Sequence, residues 1–480
     1  MYSLNVNNTQ YNNYNTVKAA SVSNVQRKQT PTASQATFSS NPIINQIPFN
    51  PAFTASNLRT ELNSKDEQAK YNELTQIADK QTKKQLQNLL KSGKLLNSDS
   101  NDKSTTLDNL YKIIKTPRVQ GLDARGILKD TVNTIAYPHI ITQQFGNIPA
   151  KYQQQAALAA GANASEINVE HSGTCVASSI EFNLAQKHPA EFARFAEGLS
   201  SPNMSVEKNI KMNNLADNTL DAIWLLNAFE IPYEAKDFNS AKLKFAPDKN
   251  AIIRAQIQTV DRDKLERSPL DVLMQSTFMQ VGSQQSYDAL TDKRGGKFNQ
   301  NDKGLIEFEK TFTESVVEDK NKMSVTYQTV DENARLVGYE TDFKTMKKQI
   351  TDALNMGENV IIGYTQVDNN NTIINGHEIT ITGTRTDKNG KTVFICNDTD
   401  DDVSRPVEYT EDYLLPKIHH AALPQAVVAD DVNLVENWVE GLKTYKELKK
   451  QHQSQTPQNN APMINPSTVV LERNQIGQVA

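Results

Sequence analysis

The sequence predicts an α+β protein, in which a helix-rich first half is followed by an antiparallel sheet. Two observations carry this. Apolar residues recur at helical spacing in most segments between 56 and 356. Strand-like runs cluster late, at 359–367, 377–386 and 391–397, the last two joined by a short turn with Asn389-Gly390 at its tip. Helices and strands segregated along the chain, rather than alternating, mark the α+β class.

The chain has 480 residues, long enough for two or three domains. Residues 1–55 are rich in Asn, Gln, Ser and Thr and lack apolar periodicity. Such a segment buries too little surface to offset its ordering entropy, so disorder is expected. The segment 450–480 reads the same way, as a polar tail. Between 56 and 118, Leu74, Ile77, Leu86, Leu89 and Leu90 recur at near-helical spacing until Gly93 stops the helix. A second short helix, LDNLYKIIK, ends before Pro117. This stretch is expected as a helical subdomain, and its position ahead of the chemistry makes it a candidate inhibitory prosegment. From 119 to 425 lies the main domain, with helices expected at 174–187, 189–198, 218–229, 268–279 and 343–356. Charged runs such as TDKRGGKFNQNDKG point to an inserted lobe or lid at about 235–340. A final amphipathic helix is expected within 426–449. No internal repeat is present.

With 51 basic against 56 acidic residues, the chain lacks the basic face that nucleic-acid binding needs. No apolar run approaches the roughly 20 residues that span a bilayer, and the N-terminus lacks the basic and apolar regions of a secretory signal. Two cysteines exclude a disulfide scaffold and a cysteine-built zinc site. A reducing compartment, or export by a route that reads no signal peptide, is expected.

Cys175 stands in HSGTCVASSIEFNLAQKH. Ser172, Gly173 and Thr174 precede the series Val176, Ile180, Leu184 at i, i+4, i+8, which places a helix start with a Ser or Thr cap and puts Cys175 in its first turn. A cysteine there faces unpaired backbone N–H groups and the positive end of the helix dipole. Both favour thiolate, the species that attacks carbonyls, and the same N–H groups suit an oxyanion. The competing reading is a small buried hydrophobe, the commonest fate of a free cysteine. A nucleophile needs a base. Of the seven histidines, His377 opens a strand after a Gly-containing turn, so a rigid element holds its imidazole at the rim of a sheet. The return strand ends in FICNDTDDD and delivers Asn397 and Asp398 near that end, where an acceptor would orient the ring. Cys396 reads as a buried strand cysteine, close enough to the proposed acceptor that a Cys175–Cys396 redox lock stays open. The run Asp398, Asp400, Asp401, Asp402 lacks the Gly and terminal Glu of an EF-hand loop and reads as a solvated acidic turn.

Taken together, these segments resemble papain-like cysteine peptidases, and most of all the bacteriocin-processing peptidases of bacteria. Gly173-Thr174-Cys175-Val176-Ala177-Ser178-Ser179 is similar to the family's G-S-C-W-A-F-S pattern. Gly376-His377-Glu378-Ile379-Thr380-Ile381-Thr382-Gly383 resembles its G-H-A-V-x-x-x-G strand. Ile395-Cys396-Asn397-Asp398 resembles both the I-K-N-S-W strand of papains and the V-N-D-P strand of bacteriocin-processing enzymes. The first alignment selects Asn397 as the third residue, the second Asp398, which is preferred. Val407-Glu408-Tyr409 and Tyr413-Leu414 look like the closing segment of the bacteriocin-processing domains. The resemblance covers about 175–425, and it implies a papain-like fold and a peptidase with no cofactor, acting on a peptide or protein substrate through a thioester. Three features depart from the pattern. The family's oxyanion-hole Gln, six residues before its Cys, is Val169; Gln143 or Gln144 could serve if the 25 to 30 residues between form an insertion. Its Trp after Cys is Val176. The stretch from Cys175 to His377 is longer than usual. The alternatives are a related amidase or acyltransferase, and an inactive papain-like protein that binds partners.

Overall fold

The computed structural model describes residues 58–144, 150–167, 172–211, 240–260, 266–283, 285–294, 304–305, 307–331, 333–400 and 404–428. The tails expected at 1–55 and 450–480, and the helix expected at 218–229, lie outside these residues. So does nearly all of the segment 426–449.

Helices dominate the first half. The run read as one helix up to Leu90 is two, α1 (Lys65–Ile77) and α2 (Lys80–Lys91). Asp79 makes the break. Its carboxylate accepts the Thr82 N–H at 2.7 Å and starts α2, while α1 is opened by a Ser64/Glu67 capping box. Gly93 follows α2 in the left-handed region, at φ +76°, as the sequence reading requires of a helix stop. Next come α3 (Thr106–Lys115), α4 (Ala124–Ala136), α5 (Ala150–Ala160), α6 (Cys175–Lys187) and α7 (Pro189–Leu199). Two short strands, β1 (Val206–Lys211) and β2 (Ser240–Phe245), pair antiparallel. After them come α8 (Ala251–Val260), α9 (Pro269–Gly282), the small ribbon β3 (Tyr287–Asp288) and β4 (Lys293–Arg294), and α10 (Glu307–Glu318).

These helices share one core, with α6 at its centre. Every residue of α6 from Val176 to Ala185 is buried, so this helix has no solvent face. Leu86 of α2 and Leu110 and Ile113 of α3 belong to the same apolar cluster. Val176 and Ile180 of α6, Phe192 and Phe195 of α7, and Leu273 and Phe278 of α9 complete it. Residues 58–118 therefore bury their apolar faces in the core that carries Cys175.

The second half builds a six-stranded sheet. After β5 (Lys322–Thr326) come the small ribbon β6 (Gln328–Val330) and β7 (Leu336–Tyr339), and helix α11 (Phe343–Asn355). Strands β8 (Val360–Val367), β9 (Ile373–Thr386), β10 (Thr392–Asn397), β11 (Val407–Thr410) and β12 (Ile418–Pro424) follow. The strand order is β11-β10-β9-β8-β12-β5, and all neighbours are antiparallel. The β9–β10 turn is the one expected: Gly390 sits at φ +79°, and the Asn389 and Lys391 N–H groups donate to the Asp387 carboxylate. Sequence reading misses β12, in which all seven residues are buried and no alternation shows. It also misses β5. Within 235–340, α9 and α10 pack in the core around α6 and β5 forms a sheet edge.

Helix α11 covers one face of the sheet, where Met346 and Ile350 meet Ile362, Ile379, Phe394 and Cys396. On the other face Ile361 joins the helical core. A buried ionic group pins α6 to this junction. Lys322 of β5 lies 3.2 Å from Glu314 of α10 and 3.4 Å from Glu358, and Lys187 of α6 lies 3.7 Å from Glu358. Burial would raise the Glu358 carboxyl, but Lys322, Lys187 and Lys320 outweigh it and hold its pKa at about 2. Among the described residues no helix is long and apolar enough to cross a membrane.

Candidate functional site

Cys175 is the first residue of α6 and is half-buried. Thr174 occupies the cap position, but its hydroxyl does not cap the helix. It donates instead to Gln275 Oε1 on α9, at 2.8 Å. Among the described residues no cap side chain therefore answers the first-turn N–H groups, which have no intrahelical acceptor of their own. The loop before Cys175 is held from the other side as well. The Gly173 N–H donates to the Asp292 carboxylate at 2.7 Å, and the Tyr287 hydroxyl donates to the same carboxylate at 2.8 Å.

His377 lies on β9 opposite Tyr364 of β8. Its Nε2 is 2.7 Å from Asp398 Oδ1, and the two side chains are only 13% and 16% exposed. Burial would lower the imidazole pKa. Hydrogen bonding to Asp398 and to Cys175 outweighs burial and holds it well above the ordinary histidine value. Asp398 moves the other way. Burial would raise its carboxyl, but the bond to His377 brings it below the usual carboxylate range. Since Nε2 faces Asp398, Nδ1 is the ring nitrogen left for Cys175. Three elements of the chain thus bring Cys175, His377 and Asp398 together.

Asn397, the other candidate for the third position, does not reach His377. Adjacent strand residues point to opposite sides, and its Oδ1 lies 2.8 Å from His139 Nδ1. Burial pulls His139 down to about 4, so the ring is neutral near neutral pH, packed against Phe182 of α6. Cys396 is fully buried in the core under α11, and burial pushes its thiol well above the ordinary range. Of the acidic run, Asp398 holds His377 and Asp400 accepts from Gln144. Asp401 and Asp402 lie outside the described residues, as do Val169 and His171.

The three residues after β10 each tie down a different part of the site. Asp398 holds His377. Thr399 meets the Ser178 hydroxyl, one turn beyond Cys175, at 2.7 Å, and donates to Gln143 Oε1 at 3.4 Å. Its carbonyl accepts the Gln143 N–H at 3.0 Å. Asp400 takes the Gln144 side-chain amide through both its carbonyl and its carboxylate. Gln144 thereby spends its donor, whereas Gln143 Nε2 has no hydrogen-bond partner among the described residues. Thr399, Ser178 and His139 escape sequence reasoning. Each is a common polar residue with no spacing signal, and only the fold makes them neighbours.

Comparison with family models, with curated proteins and with solved structures finds no match to this chain.

Proposed function

We propose that this chain is a cysteine hydrolase of papain-like fold, cleaving peptide or isopeptide bonds through Cys175, His377 and Asp398. The observation that carries the reading is the His377 ring, bonded by Nε2 to Asp398 at 2.7 Å and close enough to Cys175, the first residue of a buried helix, for Cys175 to raise its pKa. The chemistry follows from the roles of a nucleophile, a base and an orienting carboxylate. His377 Nδ1 takes the Cys175 thiol proton and becomes charged, the thiolate attacks the amide carbonyl, a C–S bond forms, and the carbonyl electron pair moves to oxygen. The Cys175 N–H and Gln143 Nε2 receive that oxyanion. When it collapses, the C–N bond breaks and His377 Nδ1 protonates the departing amine. Water then gives a proton to Nδ1 as its oxygen attacks the thioester, and the C–S bond breaks to restore the thiolate and imidazolium. Asp398 keeps the Nε2 proton and the ring orientation throughout.

The test is selective alkylation of the full chain. With a low dose of iodoacetamide at about pH 6, peptide mass spectrometry should find Cys175 modified and Cys396 untouched. His377→Ala should remove the selectivity. If Cys175 is no more reactive than Cys396, the hydrolase reading fails and a partner-binding role replaces it.

A further inference from the structure

Gln275 lies on α9 and is fully buried. All the hydrogen-bonding capacity of its side chain that faces the site is used. Oε1 accepts from Thr174 Oγ1 at 2.8 Å and from Arg267 Nη1 at 3.3 Å. Nε2 donates to the Thr142 carbonyl at 2.9 Å and to Glu181 Oε2 at 3.0 Å. The amide has one permitted orientation, because a guanidinium can only donate and a backbone carbonyl can only accept. Thr142 immediately precedes Gln143, and Thr174 immediately precedes Cys175. One buried amide thus grips the two chain segments that would present the oxyanion donors.

We infer that Gln275 is a positioning residue for the oxyanion site, fixing the separation between the Gln143 segment and the start of α6. The inference rests on the hydrolase reading above. Glu181 strengthens the geometry, since its contact fixes Gln275 against α6 a second time, almost two turns beyond Cys175. The Thr399 bridge between Ser178 and Gln143 is independent of Gln275. Loss of the Gln275 amide therefore loosens the oxyanion donors and leaves the site assembled.

Two reactions of Cys175 separate this role from a merely structural one. Acylation by p-nitrophenyl acetate forms a sulfur–carbonyl bond through an oxyanion before the bond to p-nitrophenolate breaks. Alkylation by iodoacetamide displaces iodide at a saturated carbon and forms no oxyanion. In Gln275→Met, acylation should slow by about tenfold or more, with alkylation within about twofold of wild type. Gln275→Glu loses the donor to Thr142, and Thr174→Val loses the other grip. Both should show the same selective loss, and Thr174→Val carries the test if the Gln275 variants do not fold. If acylation and alkylation fall by the same factor, or if neither falls, the inference is overturned. Should wild type release no more p-nitrophenolate than Cys175→Ala, the hydrolase reading itself fails, and the role of Gln275 falls with it.

Discussion

Replacing Asp398 by Asn removes a charge and keeps the shape. In the wild type, Nε2 and Oδ1 stand 2.7 Å apart in a site shielded from most water. Two unit charges whose centres lie about 4 Å apart attract by about 4 kcal/mol at the effective dielectric of a protein near its surface. At about 1.4 kcal/mol per tenfold, the imidazolium loses stabilisation equivalent to roughly a hundred- to a thousandfold in the rate of steps that charge His377. The pH profile carries the sign. His377 is held above its ordinary value partly by Asp398, so Asp398→Asn lowers it, and the alkaline limb of activity should move toward neutral pH. The assay is the p-nitrophenyl acetate acylation rate from pH 5 to 10, with thermal melting to show that the variant is folded. A rate within about threefold of wild type and an unmoved alkaline limb would refute the assignment of Asp398. Asn397→Ala is the matched control. It takes the partner from His139 rather than His377, so it should lower stability by about 1–3 kcal/mol while the alkaline limb stays in place.

His139 should make stability depend on pH. Its folded pKa of about 4 lies below the ordinary 6.5, so the unfolded chain binds the proton more readily. Stability contributed by the neutral ring is complete above pH 6.5 and is lost as pH falls toward 4. The loss is roughly 3 kcal/mol at most, and urea titrations of His139→Gln should show a flatter slope in that window. Gly363 has no room for a methyl group, because a Cβ there would stand 2.7 Å from His420 Nδ1 and 3.3 Å from Glu378 Oε1. Gly363→Ala should cost about 1–3 kcal/mol in chemical denaturation; an unchanged midpoint would show that the sheet yields. Deleting 58–118 should abolish folding, not release activity. The segment buries Leu74, Leu86, Leu89, Leu95, Leu107, Leu110 and Ile113 in the shared core. At about 1.5–3 kcal/mol each, their loss is as large as the roughly 5–15 kcal/mol that holds a domain folded, or larger. A soluble, cooperatively melting truncation would count against this.

Local signals made much of the site legible. The i, i+4, i+8 series after Cys175 places a helix start there whatever packs around it, because helical periodicity depends only on neighbours in sequence. The Asn389-Gly390 turn sets β10 beside β9, since the left-handed conformation at Gly390 suits a tight reversal. Those two features are enough to bring residue 377 near residues 397 and 398. Elements without a local signature were lost. Strand β12 shows no alternation because both of its faces are covered, and the break at Asp79 depends on a side chain competing for backbone N–H groups.

Several choices at the site belong to the tertiary structure. Asn397 and Asp398 are adjacent, and a strand sends neighbours to opposite faces, so which one meets His377 depends on register. A shift in the β9–β10 pairing between Ile395 and Cys396 sets that register, and no residue pattern announces it. The Thr399 carbonyl takes the Gln143 N–H and Asp400 takes the Gln144 side-chain amide, ties that no spacing in the sequence announces. Gln275 looks like any polar residue of a helix until α9 is buried against α6. Sequence by itself determined the helix start at Cys175, the strand that carries His377 and the strand beside it, because those follow from short-range periodicity and turn chemistry. The fold alone decided which acceptor, which amide and which brace, because those depend on contacts between segments far apart in the chain.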